Sequence, residues 1–389
     1  MRDIFPFSQI KSSDYLLLKK KLKDHDYSFQ TFMKYNINPF KFYPLELEIL
    51  PFRLQKGTKM TLLILLFFAG QPLEKKQIYT IFTDSELRRL LVMMVLRVIP
   101  SNKIQSNVLI IPYLKYYFIS DFKHIRPFDV KIKRFQKIYP VSQDSIDLYE
   151  ASSKQKVDKT LDLCTGSGVQ AILASIYSSS VVAVDINMRA LQFALFNTRL
   201  NKVTNVQYVK SDIYSELSDR SFDLILANPP YEISFKDSAI FRDGGHQGTN
   251  ILEKIILDLS HRLKPSGSCE IVTRLPEFIH RSRSELFSQW LNHDAYKIRY
   301  LEYYRIDIFQ NIVNGFLLKE QMSKRTHKIS DVEKLVDFYK MNKITCISYG
   351  VLKIKKADVF SYKEQRLLNT MHIPITTNSQ IDEMMKEEN

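Results

Sequence analysis

The residues best suited to chemistry lie in LILANPPYEIS, residues 224–234, where an apolar run ends in Asn-Pro-Pro-Tyr. The Asn228 side-chain oxygen and the Pro229 carbonyl can each accept an N–H bond, and the rings of Pro229 and Pro230 stiffen the backbone. Two such acceptors suit a planar amide or base nitrogen, whose delocalised lone pair reacts only when it is aligned with its electrophile. Tyr231 adds a flat face for stacking. The tetrapeptide predicts a site that orients a planar nitrogen.

A second candidate site lies in LDLCTGSGVQAILAS, residues 161–175. A buried strand ends in Asp162, and a turn containing Gly166 and Gly168 leads into a helix. Glycines allow positive φ and a close approach of the backbone to a ligand, and the helix N-terminus presents free N–H groups there. The next strand ends in Asp185, an acid that can grip ribose hydroxyls at the switch point of a parallel sheet. The pattern predicts a site for a ligand that contains a nucleoside.

Two kinds of nucleoside ligand remain open for this site. The stretch GSGVQA, residues 166–171, also fits a dinucleotide fingerprint with alanine third, which is the pattern of an oxidoreductase. Asp162 argues against a dinucleotide, because a carboxylate just before the turn suits an amino-acid ammonium group better than a pyrophosphate. Asn-Pro-Pro-Tyr would also have no role in hydride transfer.

The turn after Asp162 resembles the Asp-x-Gly-x-Gly-x-Gly loop of class I S-adenosylmethionine-dependent methyltransferases, with Cys164 where that family usually has glycine. The segment YPVSQDSIDLYEAS, residues 139–152, resembles the Tyr-x-Pro-x-x-Asp-Ser-x-x-Leu segment of release-factor glutamine methyltransferases and related small-domain enzymes. In that group the upstream segment covers the methionine end of the donor. Asn-Pro-Pro-Tyr there marks methyl transfer to a nitrogen of glutamine, adenine or guanine.

The resemblance implies S-adenosylmethionine as cofactor and a set of residues that bind it. Asp212 would bond the adenine amine, and Ile213 would pack on the adenine ring. The implied cofactor-binding residues are Asp144, Ser145, Asp162, Cys164, Thr165, Gly166, Gly168, Asp185, Ile186, Asp212, Ile213 and Asn228. The implied catalytic residues are Asn228, Pro229, Pro230 and Tyr231.

A glycine-rich stretch, FRDGGHQGTN at residues 241–250, follows the Asn-Pro-Pro-Tyr tetrapeptide. Glycines beside Arg242, Asp243 and His246 predict a mobile lid over the substrate. A flexible connection without a function fits the same composition equally well.

After residue 157, apolar strands alternate with amphipathic helices, which predicts an α/β fold with a sheet covered on both faces. The expected architecture is a Rossmann-like, seven-stranded sheet of the class I methyltransferase type, with its last strand antiparallel. The expected strands are residues 160–164, 181–186, 206–212, 222–228, 268–275, 296–304 and 346–356. The expected parts are an N-terminal mainly helical, winged-helix-like domain (1–127), the methyltransferase domain (128–356) and a C-terminal tail (357–389).

Within residues 59–122, three helices followed by two β-rich pieces have the order of a winged helix, which binds nucleic acid or docks proteins. Thr83 and Glu86 have capping-box spacing at the start of the expected recognition helix, residues 84–96. Its apolar face fits plain packing equally well. The cations on or next to it are Arg88, Arg89 and Arg97. Residues 123–140 are basic and interleaved with aromatics, which indicates either a phosphate-contact strip or a solvated linker.

Composition bounds the location and the partners of this chain of 389 residues. Lys and Arg outnumber Asp and Glu by 56 to 42, and much of the formal charge of +14 lies in the first 150 residues, which favours polyanionic or acidic partners. Three cysteines without a Cys-x-x-Cys spacing indicate neither a disulfide framework nor a zinc site. The polar start is unlike a signal peptide, and the longest apolar run, Leu62–Gly70, is far short of the ~20 residues that span a bilayer. We therefore expect a cytoplasmic protein without a membrane or metal partner, of unknown oligomeric state.

These features predict an S-adenosylmethionine-dependent N-methyltransferase that acts on a macromolecule, through a protein glutamine or an RNA or DNA base. One alternative is a methyltransferase for small molecules or peptides. Another, from a different class, is a non-catalytic nucleic-acid-binding protein with a degenerate cofactor fold, although the intact Asn-Pro-Pro-Tyr weighs against it.

Overall fold

The computed structural model of the protein describes residues 4–42, 44–122, 137–217, 221–231, 248–292, 294–323 and 329–367. The first part contains α1 (Ser12–Asp24), α2 (Phe29–Lys34), α3 (Pro44–Arg53), α4 (Lys59–Leu63), a π-helical turn (Ile64–Phe68), α5 (Lys75–Ile78), α6 (Asp84–Val92), β1 (Leu96–Val98), β2 (Ile104–Ser106), β3 (Leu109–Tyr113) and β4 (Tyr116–Ser120). The second part contains α7 (Gln143–Ala151), β5 (Val157–Leu163), α8 (Val169–Ala174), β6 (Ser178–Asp185), α9 (Met188–Asn201), β7 (Val206–Lys210), β8 (Phe222–Ala227), α10 (Asn250–Leu257), α11 (Leu259–Arg262), β9 (Leu263–Phe278), α12 (Arg283–Trp290), β10 (Tyr296–Asp307), α13 (Ile308–Ser323), α14 (Ile329–Met341), β11 (Ile344–Lys356) and β12 (Ser361–Arg366).

Strands β5 to β12 form one sheet in the order β12-β10-β11-β9-β8-β5-β6-β7. The strands from β5 to β9 pair in parallel, and β11 is antiparallel to both β9 and β10. The α/β fold and the seven expected strands are confirmed, including the antiparallel last one. The strand order reverses between β5 and β8, so the sheet opens a crevice at the carboxyl ends of these two strands.

The sheet has an eighth strand where only a tail was expected. Strand β12 pairs in parallel with β10 at the edge of the sheet. Its sequence, SYKEQR, is polar and lacks the apolar alternation that identifies a half-buried strand. Charged side chains hold it in place: Glu364 accepts a hydrogen bond from Arg283 at 3.0 Å, and Arg366 donates to Glu302 at 2.9 Å. Pairing of charges across the sheet edge therefore replaces the hydrophobic signal.

The N-terminal part is mainly helical, as expected, and carries the hairpins β1–β2 and β3–β4. Helix α6 begins at the expected capping box, in which Glu86 Oε2 accepts from the Thr83 N–H at 2.8 Å. The helix ends at Val92, earlier than expected, because Met94 adopts a left-handed φ of 60°. The three cations on or next to the candidate recognition helix contact the chain itself: Arg88 pairs with Asp84, Arg89 with Asp14, and Arg97 donates to Gln105.

The N-terminal part packs directly on helix α9 of the second part. Phe5 contacts the rings of Phe193 and Phe196, and Tyr15 contacts Phe196 as well. Residues of both parts belong to one continuous hydrophobic cluster. The expected boundary between residues 127 and 128 lies outside the described residues and stays a prediction. The expected start of the tail at residue 357 does not agree with β12, which belongs to the sheet.

Candidate active site

Neighbouring strand ends bring the sequence motifs to one edge of the sheet. Leu163, the last residue of β5, pairs with β6 on one side and with β8 on the other. Because these strands are parallel, Cys164, Asp185 and Asn228 lie side by side at the carboxyl edge. We call residues 162–168 the donor loop and Asn228-Pro229-Pro230-Tyr231 the acceptor tetrapeptide.

Asp162 of the donor loop is almost fully buried, with 1% of its surface exposed. Its Oδ2 accepts hydrogen bonds from Thr165 Oγ1 at 2.5 Å and from the Ala171 N–H at 2.9 Å. Its Oδ1 is buried and accepts no hydrogen bond from any described residue. Burial raises the pKa of Asp162 to about 7, against the effect of the two bonds. A buried acceptor needs a donor, and the ammonium group of an amino-acid ligand fits this requirement.

The two glycines of the donor loop serve different purposes. Both have positive φ, 56° at Gly166 and 82° at Gly168. A Cβ at Gly168 would lie 2.9 Å from the Cβ of Ala194, so glycine at this position lets the loop pack on α9. A Cβ at Gly166 would meet only the Cys164 carbonyl oxygen, at 3.9 Å. The space beside Gly166 therefore allows a ligand to approach the backbone.

Cys164 keeps the backbone shape for which the resembling family uses glycine. Its φ is 56°, a left-handed value that costs a non-glycine residue roughly 1–2 kcal/mol. Burial, together with the nearby carboxylates of Asp185 and Asp162, raises the pKa of the Cys164 thiol well above its ordinary value. The thiol is therefore neutral, and the residue occupies the loop under backbone strain.

Asp185 at the end of β6 is fixed by two backbone N–H groups. Its Oδ2 accepts from Gly166 at 2.9 Å, and its Oδ1 accepts from Asn187 at 2.8 Å. Each oxygen keeps a further lone pair for a ligand hydroxyl. Burial raises the pKa of Asp185 to about 6. The next residue, Ile186, exposes 50% of its surface, so an acid and an apolar patch lie together, as a nucleoside requires.

At the end of β7, Ile213 departs from what the resemblance implies, whereas the role of Asp212 stays a prediction. Asp212 is exposed, and its carboxylate lies 4.0 Å from Lys254 Nζ. Ile213 has a φ of 53°, and its side chain is only 8% exposed because it packs in the core with Tyr214 and other apolar residues. Little of Ile213 is left to pack on a ring, whereas Ile186 offers an exposed surface for this contact.

The acceptor tetrapeptide presents two hydrogen-bond acceptors. Asn228 is half-buried, Pro229 is buried and Pro230 is half-buried. Among the described residues, none is hydrogen-bonded to the Asn228 side chain or to the Pro229 carbonyl. Both groups can therefore bond a ligand without breaking a contact that the described chain makes.

Tyr231 is tied to the segment that precedes the donor loop. Its Oη donates to Asp144 Oδ2 at 2.8 Å, and Asp144 Oδ1 accepts from the Ser142 hydroxyl and from the Ser145 N–H. Gln170 Nε2, in the helix after the donor loop, donates to the Ser145 carbonyl at 2.6 Å. Burial and the Asp144 carboxylate raise the pKa of Tyr231 well above its ordinary value, so the phenol stays protonated. The upstream segment, the donor loop and the tetrapeptide thus form one hydrogen-bonded unit.

Sequence reasoning missed an aromatic cluster beside the tetrapeptide. The Tyr349 ring, on β11, lies 6.5 Å from the Tyr231 ring, and the Arg274 guanidinium, on β9, lies 5.7 Å from it. Tyr349 Oη donates to Asp147 Oδ2 at 2.7 Å, and burial raises the pKa of Asp147 to about 6. The period-two pattern of β11 could place Tyr349 on a face of the sheet, but nothing in the sequence pairs it with Tyr231.

Two asparagines of α9 were missed as well. Asn197 Oδ1 accepts from the Ile119 N–H at 2.7 Å, and its Nδ2 donates to the Ile119 carbonyl at 3.0 Å. Asn201 pairs in the same way with Tyr117, at 3.0 and 2.7 Å. Asn197 Nδ2 also donates to the Ser167 carbonyl of the donor loop at 2.8 Å. These side chains join the β3–β4 hairpin, α9 and the donor loop.

The expected lid can be located only in part. Residues 232–247, which include Arg242, Asp243 and His246, lie outside the described residues.

In the portions that the structure describes, no cluster of three or more His, Cys, Asp or Glu side chains could hold a metal ion. No helix of those portions is long and apolar enough to cross a membrane.

The chain is similar to known methyltransferases. The family model described as "Methyltransferase small domain" matches residues 145–294. A putative protein N5-glutamine methyltransferase of Methanocaldococcus jannaschii is 33% identical over 150 residues, which are 37% of this chain and 75% of that protein.

Two bacterial relatives match a smaller share of their own length. A ribosomal protein uL3 glutamine methyltransferase of Bradyrhizobium diazoefficiens is 35% identical over 152 residues, which are 35% of this chain and 47% of that protein. A release factor glutamine methyltransferase of Lactococcus lactis is 32% identical over 158 residues, which are 36% of this chain and 57% of that protein. The chain thus spans about half the length of these two relatives.

The match to three quarters of the M. jannaschii protein indicates the same family as the sheet and the donor loop do. The strand order, the buried Asp162 with a bare oxygen and the open space beside Gly166 all fit S-adenosylmethionine. The chain therefore belongs to the small-domain family of class I S-adenosylmethionine-dependent methyltransferases.

Proposed function

We propose that the protein methylates the side-chain amide nitrogen of a glutamine in a protein of the translation machinery. The observation that carries the proposal is the pair formed by the Asn228 side-chain oxygen and the Pro229 carbonyl, next to the donor loop. A primary amide has two N–H groups on one planar nitrogen, which matches these two acceptors. Three relatives named as protein glutamine methyltransferases support the same acceptor.

On the donor side, we assign one residue to each part of the cofactor. Asp162 Oδ1 accepts from the ammonium group, Asp185 accepts from the ribose hydroxyls, and Ile186 packs on the adenine. S-adenosylmethionine supplies, when bound, a methyl carbon made electrophilic by the adjacent sulfonium. Gly166 allows the backbone to lie close to the bound molecule.

On the acceptor side, Asn228 and Pro229 hold the two N–H groups, so that the lone pair of the amide nitrogen is directed toward the methyl carbon. S-adenosylmethionine would give up its methyl group to the amide nitrogen and leave as a neutral thioether, and the nitrogen would lose one N–H proton to solvent. Neither acceptor is a base of useful strength, so the rate gain comes from alignment and charge placement. Tyr231, anchored by Asp144, forms a wall beside the amide.

The test is methylation of defined substrates with S-adenosylmethionine that carries a tritiated methyl group. Separate reactions contain unmethylated ribosomal proteins, unmethylated release factors and protein-free ribosomal RNA. We expect label in a protein fraction, and mass spectrometry should find one added methyl group on a glutamine. Asn228→Ala is the matched control and should reduce the initial rate of labelling by about 10²–10³. Absence of label from every fraction, with S-adenosylhomocysteine still bound, would refute the proposal.

A base nitrogen of RNA is the second candidate acceptor, because the formal charge of +14 favours a polyanion. Label confined to the RNA fraction would select it. The contacts that Arg89 and Arg97 make within the chain favour the protein substrate instead. We also propose a cytoplasmic location, where translation proteins are found. We retain the boundary after residue 127 as a proposal, and we move the C-terminal boundary from residue 356 to beyond β12, which pairs with β10.

A further inference from the structure

The catalytic edge of the sheet carries a cavity that the proposed reaction does not use. Its volume is about 350 Å³, and its lining includes Tyr303, Tyr304, Arg305, Cys346 and Arg366. Strands β9 and β10 are both antiparallel to β11, so they run in the same direction as β8. The cavity lies at the carboxyl end of β10 and therefore at the same edge of the sheet as the acceptor tetrapeptide.

A row of aromatic rings connects the tetrapeptide to this cavity. The Tyr231 ring lies 6.5 Å from that of Tyr349, which stacks on Tyr304 with 5.0 Å between centroids and 23° between planes. Tyr303 lies 5.8 Å from Tyr349. The Arg274 guanidinium contacts the Tyr231 ring, and its Nη2 donates to Tyr304 Oη at 3.2 Å. Tyr349 itself is buried, so the row is a packed connection between the tetrapeptide and the cavity wall, which Tyr303 and Tyr304 line.

A β-bulge builds the wall of the cavity. The register of β10 against β11 shifts between Glu302 and Tyr304, so Tyr303 is an extra residue. Consecutive residues of a regular strand point to opposite faces of a sheet, yet Tyr303 and Tyr304 both contact the ring of Tyr349. Bulges are frequent next to active sites, where they redirect side chains. The bulge brings both tyrosines to the side of the tetrapeptide.

The charges beside the cavity are compensated. Buried Glu302 accepts hydrogen bonds from Arg305 at 2.8 Å and from Arg366 at 2.9 Å. Arg305 also donates to Glu277 at 2.7 Å. A surface of tyrosine faces and neutralised guanidinium groups offers little to a phosphate backbone. It suits a polypeptide, because guanidinium N–H groups donate to peptide carbonyls and rings pack on apolar side chains.

We propose that this cavity is a second substrate subsite, which takes an apolar or aromatic side chain of the polypeptide near the methylated glutamine. The inference rests on the proposed function and adds a sequence preference to it. The two centroid distances place Tyr304 within about 12 Å of Tyr231, which is three to four residues of extended chain at roughly 3.3 Å each. The preferred residue therefore lies about three positions from the glutamine.

The experiment compares glutamine peptides that carry a leucine at positions two to four on either side of the glutamine with the same peptides carrying glycine. For the wild type, we expect one leucine position to lower KM about tenfold. Tyr304→Ala should remove this advantage while the KM of the glycine peptide, the kcat and the KM of the donor stay unchanged. Tyr304→Phe keeps the ring and should retain the advantage. Tyr362→Ala, which removes a ring stacked on Phe287 instead of Tyr349, controls for loss of a sheet aromatic.

The outcomes separate the subsite from the reaction. Equal KM values for the leucine and glycine peptides in the wild type, or an advantage that survives in Tyr304→Ala, would overturn the subsite and leave glutamine methylation intact. Failure of the wild type to methylate any glutamine peptide or glutamine protein, with normal binding of S-adenosylhomocysteine, would overturn the proposed function and the subsite with it.

Discussion

The donor side and the acceptor side of this enzyme are built in different ways. The donor loop is fixed by bonds of its own backbone and of adjacent strand ends: Asp185 accepts from Gly166, and Asp162 accepts from Thr165 and Ala171. In the acceptor tetrapeptide, the Asn228 side chain and the Pro229 carbonyl accept no hydrogen bond from the described residues. Tyr231 is held by side chains from elsewhere in the chain, such as Asp144 and Tyr349. The comparison suggests that the cofactor meets a preformed loop, whereas the substrate meets a surface assembled from distant strands.

The sharpest way to break this comparison is Asn228→Ala, because it removes one acceptor and leaves the donor loop intact. We expect kcat to fall by about 10²–10³, the range found when one oriented polar group is removed from a transition state. The Kd of S-adenosylhomocysteine should change less than about twofold, or about 0.4 kcal/mol, because the donor loop is unchanged. Single-turnover rates and calorimetry measure the two quantities. A loss of cofactor affinity equal to the loss of rate would place Asn228 on the donor side.

The next largest effect concerns Asp162 and is a dependence on pH. Burial raises the pKa of Asp162 to about 7, so its carboxyl becomes neutral as the pH falls below this value. Only the carboxylate can pair with the donor ammonium, so affinity should fall by up to about tenfold for each pH unit below 7, or about 1.4 kcal/mol.

Calorimetric titration with S-adenosylhomocysteine between pH 5.5 and 8 checks the direction and size of this change. Asp162→Asn should weaken binding by about 30- to 100-fold at pH 8, in keeping with the loss of a charge-assisted hydrogen bond. It should also flatten most of the pH profile. Asp185→Asn is the matched control, and its affinity for S-adenosylhomocysteine should still fall as the pH drops below about 7. A wild-type affinity that does not vary with pH would contradict the pairing of Asp162 with the ammonium group.

The same contrast explains what the sequence could predict. The donor loop follows from local signals, because Asp162, two glycines and Asp185 each sit at a fixed distance from a strand or helix end. The parallel sheet covered by helices follows from the alternation of strands and helices in the same way, whereas the order of its strands does not. The sequence places Cys164 in the donor loop, but nothing local to it predicts a left-handed φ. Only the resemblance to a family that uses glycine at this position indicates one.

The aromatic row could not be predicted, for a physical reason. Tyr349 and Asp147 are 202 residues apart in sequence and meet only because β11 inserts next to β9. The bulge at Tyr303 has no glycine in its own strand, and the glycine beside it, Gly350, lies on β11 and meets Glu302 only in the folded sheet. Strand β12 is a polar edge strand held by ion pairs. Contacts between distant strands depend on the register of the whole sheet, which period-two patterns do not fix.

Asn197→Ala tests whether the N-terminal hairpin helps to shape the donor loop. Its matched control is Asn201→Ala, which removes the same pairing to β4 but touches no residue of the loop. Both variants leave two backbone groups of β4 unpaired and should lose stability, by about 1–3 kcal/mol per unpaired group. Only Asn197→Ala frees the Ser167 carbonyl, so it alone should raise the Kd of S-adenosylhomocysteine, by about fivefold for one net hydrogen bond of ~1 kcal/mol. Equal Kd values in the two variants would confine the hairpin to a structural role.

The smallest expected effect is that of Cys164→Gly, which relieves backbone strain within the donor loop. Relief of a left-handed φ is worth roughly 1–2 kcal/mol, and the added freedom of glycine in the unfolded chain offsets about 0.5–1 kcal/mol of it. We therefore expect the free energy of unfolding in urea to rise by about 0.5–1 kcal/mol, whereas Cys164→Ala, which keeps the Cβ, should show no such gain. A Cys164→Gly variant no more stable than Cys164→Ala would mean that strain at this residue is already relaxed in the loop. If stability rises while the Kd of S-adenosylhomocysteine stays unchanged, then Asp185 and the packing of Gly168 on α9 set the shape of the donor loop, and residue 164 only conforms to it.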